Sequence, residues 1–136
     1  MIEFHDNLAG KIIVRPDVSH HFMRLRPLSI IVTASYNNTE IAVSSAAIKL
    51  FEVGKDFYDP VIYFPRSDIK MELLTGVENL STHCPLKGDT EYFDISTHDK
   101  TLEKAAWSYN KPLQIAEELR DLIAFDASVI DIVERK

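Results

Sequence analysis

Cysteine, glycine and long apolar runs are all scarce in this chain of 136 residues, and each scarcity excludes something. Cys84 is the only cysteine, so there is no intramolecular disulfide and no zinc site built on paired Cys-x-x-Cys ligands. Such cysteine usage suits a reducing cytoplasm. The four glycines, Gly10, Gly54, Gly76 and Gly88, stand apart from one another, and none opens a Walker or dinucleotide-binding loop. No stretch approaches the roughly 20 apolar residues of a membrane-spanning helix. The opening MIEFHDNLAGKIIVRPD carries charge throughout and lacks the apolar segment of a signal peptide, so a cytoplasmic protein with no membrane partner is expected. Positive charge is also in deficit: 21 acidic residues against 15 basic ones give a net charge of −6, a field that repels a nucleic acid backbone. The five histidines lack metal-ligand spacing, and the expectation is no metal and no cofactor.

What is present is an ordinary globular composition, 46% hydrophobic and 26% charged, at a length that fits one domain over residues 1–136. Residues 1–27 read as an N-terminal strand and an arm. The strand is Lys11 to Arg15, stopped by Pro16, and the arm runs from Asp17 to Pro27 without a clear period. Residues 28–136 form the core. Leu28 to Ser35 reads as a strand, Asn37-Asn38 as a tight hairpin turn, and Thr39 to Ser44 as the returning strand. Ala47 to Val53 reads as a further strand or a bulged continuation, which makes this portion a meander. Val61 to Phe64 is a continuous apolar run, as expected of a central strand covered on both faces. Ser67 to Ile69 is predicted to make one helical turn. Thr90 to Ser96 alternates, and Ala105, Trp107 and Tyr109 are placed on one strand face by the period of two. After Pro112, the positions Ile115, Leu119, Leu122 and Ile123 fall at helical spacing, which predicts one principal C-terminal helix over 112–124. Ala127 to Glu134 alternates again and closes the chain as a strand. The sum is a mainly β fold of seven or eight strands and one helix.

Three segments carry a specific pattern: Tyr63-Phe64-Pro65-Arg66-Ser67-Asp68, then Thr82-His83-Cys84-Pro85-Leu86-Lys87-Gly88, then Ala105-Ala106-Trp107-Ser108-Tyr109 with Pro112. In their order and spacing they resemble the signature of the family called domain of unknown function 427, with looser similarity from about Leu28 to Val133. The resemblance implies a β-tent, two antiparallel sheets leaning together, as in B-type methionine sulfoxide reductases, Yippee proteins and the thalidomide-binding domain of cereblon. Those relatives commonly hold a structural zinc on two Cys-x-x-Cys pairs. This chain lacks them, so its hydrophobic core must replace the metal. No settled activity follows, and the nucleotidyltransferase label sometimes attached to the family has no catalytic motif behind it here. The aromatic ligand pocket between the sheets of those relatives is an analogy of fold.

Read physically, the three segments predict a shared pocket. Arg66 and Lys87 each follow a proline-bearing turn and are expected to bind a carboxylate, phosphate or amide, while Tyr63, Tyr92, Trp107 and Tyr109 wall an apolar part. Asp68 and Cys84 complete the candidate ligand-binding set. The bland alternative is that Arg66 pairs with Asp68, Lys87 is solvated and the aromatics fill the core. A small-molecule ligand is the expected partner, in a protein that could form a homodimer. Two other classes stay open. One is a small enzyme using Cys84, or the Arg66 and Lys87 pair, for which exposure of Cys84 within reach of His83 or Asp68 is the discriminating geometry. The other is a protein-interaction module docking through edge strands or the arm at Asp17 to Pro27.

Overall fold

The computed structural model describes residues 11–135, and period-two alternation makes most of them strands. The larger sheet has the order β1 (Lys11–Val14), β2 (Phe22–Pro27), β5 (Ile48–Val53), β6 (Val61–Pro65), β11 (Leu122–Phe125), β10 (Thr101–Pro112), β9 (Gly88–Ser96) and β7 (Leu74–Gly76). A two-residue strand, β8 (His83–Cys84), also pairs with β9. The smaller sheet has the order β12 (Asp131–Arg135), β3 (Ile31–Tyr36) and β4 (Thr39–Ser44). Every pairing is antiparallel. The chain is thus mainly β with two antiparallel sheets, and the only helical elements among the described residues are short 3-10 segments.

Two apolar clusters use the two faces of the larger sheet. Val32 and Ile41 of the smaller sheet meet Phe64, Phe93, Ile95, Ile123 and Phe125 between the sheets. Phe64 and Phe125 touch edge to face, with ring centroids 5.3 Å apart. On the opposite face Met23, Leu25, Leu50, Tyr63, Leu86, Tyr109 and Leu119 gather. The split follows strand geometry: Tyr63 and Phe64 are neighbours on β6, so they point to opposite faces, as do Ile123 and Ala124 on β11. β6 is the expected central strand.

Four expectations change. The principal helix is absent. Gln114–Leu119 is a 3-10 segment broken at Ala116 (φ −113, ψ 20), and Asp121, in the left-handed region at φ 64, turns the chain into β11. The apparent helical spacing joined residues of two different elements. All four residues of β11 are buried between β6 and β10, and periodicity cannot distinguish such a run from a helix. Most of the expected arm is also structured: Phe22–Pro27 is paired on both sides, by β1 and β5, with Met23 and Leu25 inward and Arg24 less so. The rest of the expected arm, residues 17–21, lies outside the strands. The meander ends after β4, since β5 joins the larger sheet. Finally, Ala105 packs between the sheets, away from the Trp107 and Tyr109 face, because a register shift between Leu102 and Ala106, with Lys104 at φ 55, resets the alternation. The Asn37-Asn38 turn is as read, both residues having positive φ, 48 and 66, which matches the twist of a tight hairpin.

Candidate functional site

Period-two geometry sends Leu50 and Glu52 of β5, Val61 and Tyr63 of β6, and Trp107 and Tyr109 of β10 to the face that turns away from the smaller sheet. Cross-strand pairing places Tyr92 of β9 beside Trp107. These side chains line a depression of about 390 Å³. A second depression, of about 760 Å³, adjoins it and is lined by Arg15, His21, His83 and Cys84 among others. Glu52, Tyr58 and Lys87 border both, so the two form one groove crossed by charged groups.

The polar centre of the groove is Glu52. One carboxylate oxygen, Oε1, accepts from the Lys87 ammonium, and the other, Oε2, lies 2.8 Å from His21 Nε2. Only 10 to 12% of each of these three side chains is exposed, so the charges interact with little screening. Burial works to lower the Lys87 pKa, but the charge of Glu52, aided by Tyr63 and the hydrogen bond itself, outweighs it and raises the pKa above the ordinary lysine value. Lys87 Nζ also sits 5.4 Å from the centroid of the Tyr109 ring, a cation–π contact. Tyr63 accepts a long hydrogen bond, 3.4 Å, from Trp107 Nε1. Tyr63 and Tyr109 are both pushed well above the usual phenol range, chiefly by burial. Tyr92 is held at its hydroxyl, 2.9 Å from Thr82 Oγ1.

The pocket expected from the three segments is assembled in part. Tyr63, Lys87, Tyr92, Trp107 and Tyr109 share the smaller depression, and Cys84 joins Lys87 in the larger one. Arg66 and Asp68 are elsewhere. Arg66 pairs with Glu91 at 3.4 Å and covers the Phe93 ring at 5.6 Å, and Phe93 belongs to the intersheet core. Asp68 accepts from Ser44 Oγ at 2.6 Å. The reason is local: Arg66 is an odd number of positions from Tyr63, so strand alternation already sends it to the Phe64 side, and the 3-10 turn Arg66–Asp68 follows there. His83, the expected neighbour of Cys84 in an enzyme, instead faces Asp89 at 2.7 Å and is exposed.

The order of strands and motifs leads to a family. The model of the family described as a domain of unknown function (DUF427) matches residues 24–136. The chain belongs to this family. No curated protein matches it. Within this DUF427 chain the three motifs have separable duties. In Tyr63-Phe64-Pro65-Arg66, Tyr63 serves the groove and Phe64 the intersheet core. In Cys84-Pro85-Leu86-Lys87-Gly88, Leu86 is fully buried and anchors the turn that presents Cys84 and Lys87. In Ala105-Ala106-Trp107-Ser108-Tyr109, the alanines pack against the smaller sheet and the two aromatics face outward to the groove. The two Cys-x-x-Cys pairs of zinc-holding β-tents have no counterpart, since Cys84 is the sole cysteine.

Sequence reading missed Glu52, Tyr58 and His21. Glu52 left a signal: it is the lone acid in the apolar strand Ile48–Val53, on the inward side with Leu50. His21 left none, because its proximity to Glu52 depends on β2 pairing with β5 across 31 positions.

Proposed function

We propose that the groove binds a small ligand that joins an apolar or aromatic portion to an amide or anionic group. The observation that carries this reading is the shielded Glu52–Lys87 pair lying between two depressions under Tyr63, Trp107 and Tyr109. The pair is neutral overall yet offers a fixed donor and a fixed acceptor side by side, which is the pattern an amide complements; Arg15 at the rim of the larger depression already holds Asp17 through Nε at 2.6 Å and Nη2 at 2.8 Å, which leaves Nη1 for a carboxylate. The aromatic walls contribute apolar burial with few rotatable bonds. Two antiparallel sheets support the β-tent expected from the family, in one domain working in the cytosol, although the groove lies on the outer face of the larger sheet and not between the sheets as in those relatives. The enzyme reading based on Arg66 with Lys87 loses its geometry, because the two cations serve different faces of the sheet.

Trp107 is the only tryptophan and reports directly on the smaller depression. Titration with small aromatic carboxamides and carboxylates is expected to change its fluorescence, and Lys87→Met is expected to weaken binding by about tenfold or more through loss of a buried charge-assisted hydrogen bond. Arg66→Ala is expected to leave it within about twofold. Equal losses in both variants, or no binding by any compound of these classes, would overturn the reading.

A further inference from the structure

His21, Glu52 and Cys84 each offer one donor atom, and the three atoms lie within 4.8 Å of one another. They come from three places in the fold: the turn before β2, strand β5 and strand β8. Each is held by backbone pairing. The His21 N–H donates to the Val18 carbonyl at 3.2 Å and its carbonyl accepts from the Arg15 N–H at 2.9 Å. Glu52 is in register with Met23, and Cys84 with Gly88. We infer that His21, Glu52 and Cys84 form a three-donor site for Zn²⁺ or a divalent cation of similar chemistry, with a fourth coordination position open to the groove.

Imidazole nitrogen, carboxylate oxygen and thiolate sulfur are the donors zinc takes, and tetrahedral bonds of about 2.0–2.3 Å would set them roughly 3.3–3.6 Å apart. Small side-chain rotations bring the present cluster to that spacing. The cation replaces the proton between His21 Nε2 and Glu52 Oε2, so that the ring carries its proton on Nδ1, and the Cys84 thiol proton leaves to solvent. Lys87 already holds Glu52 Oε1, which leaves Oε2 as a single, oriented donor. One carboxylate and one thiolate balance the divalent charge, and because Glu52 also faces Lys87, binding with release of the thiol proton leaves the cluster one positive charge above its metal-free state. Three protein donors with a groove on the fourth side describe an open site, in contrast to a closed structural one. It differs from a four-cysteine zinc in its donors, and His21 precedes the residues 24–136 matched by the family. The site does not depend on the ligand reading above, because the ion alone is its probe.

The experiment uses the full chain, made without a histidine tag and freed of metal by chelation, titrated with Co²⁺. One equivalent is expected to give the visible bands of tetrahedral Co²⁺ together with a thiolate-to-metal charge-transfer band, and Zn²⁺ is expected to bleach both. Cys84→Ser removes the charge-transfer band, and His21→Gln and Glu52→Gln weaken binding about tenfold or more, while His98→Ala binds as the parent does. Circular dichroism checks that each variant is folded, and Cys84→Ser, nearly isosteric, gives a readout even if His21→Gln does not fold. Absence of a charge-transfer band in the parent, or a band that persists at parental affinity in both folded His21→Gln and Glu52→Gln, overturns the inference.

Discussion

Tyr63 and Tyr109 show how one side chain serves both the core and the groove. Each ring packs in the cluster on the outer face of the larger sheet, and burial keeps each phenol neutral. The direction of the shift fixes the pH response. Below about pH 10 neither the folded nor the unfolded chain ionises these phenols, and their contribution to stability is whole. Above that, the unfolded chain releases protons that the folded one retains, so stability falls as pH rises. Part of the tyrosinate absorbance is therefore expected to appear only together with loss of the fold, and Tyr63→Phe is expected to reduce that delayed part. Complete tyrosinate formation with a native circular dichroism spectrum would contradict it. Arg66 makes the complementary case. Its partner Glu91 and its own side chain are each about one-third exposed, at 33% and 37%, so Arg66→Ala is expected to lower stability by no more than about 1 kcal/mol in a denaturant melt.

Among the elements, the turn from β8 to β9 is the most constrained. Gly88 has φ +116, and an added Cβ would lie 2.4 Å from the Lys111 carbonyl oxygen and 2.7 Å from the Leu113 nitrogen. Both atoms are backbone, and the Leu113 N–H donates to the Lys87 carbonyl at 2.9 Å, so neither has room to withdraw. Gly88→Ala is expected to destabilise the protein by about 2–4 kcal/mol from backbone strain and overpacking together. Because the same turn carries Cys84 and Lys87, metal and ligand affinity should fall with it. A melting curve within about 0.5 kcal/mol of the parent would show that the turn relaxes freely.

For the whole molecule, the strand order brings distant parts of the chain together. β6 pairs with β11, and β12 at the end of the described chain pairs with β3. Such pairings require closure of long loops, and refolding is expected in milliseconds to seconds by stopped-flow fluorescence. Microsecond refolding would contradict that topology. The two apolar clusters, one on each face of the larger sheet, are the core on which the expectation of metal-independent folding rests. After chelation the protein is expected to keep a β-type circular dichroism spectrum and a cooperative melt, even though an ion at His21, Glu52 and Cys84 adds stability when present. Loss of the cooperative melt in chelator, or a helix-dominated spectrum, would refute this account.

The sequence by itself determined the features that rest on neighbouring residues. Alternation along β9, the Asn37-Asn38 turn and the apolar run of β6 were legible because strand period and turn chemistry act over a few positions. The motifs around Tyr63, Lys87 and Trp107 were legible as short strings of residues that resemble the family's signature. Tertiary structure decided the rest. Whether Leu122–Phe125 became helix or strand depended on a slot in which β6 and β10 pair with its two edges and the two apolar clusters cover its two faces. The exclusion of Arg66 from the groove, by contrast, follows from strand alternation three positions after Tyr63. The meeting of His21, Glu52 and Cys84 required β2 to pair with β5 and β8 to pair with β9, and chemistry shared by residues 31 and 32 positions apart leaves no local pattern in a sequence.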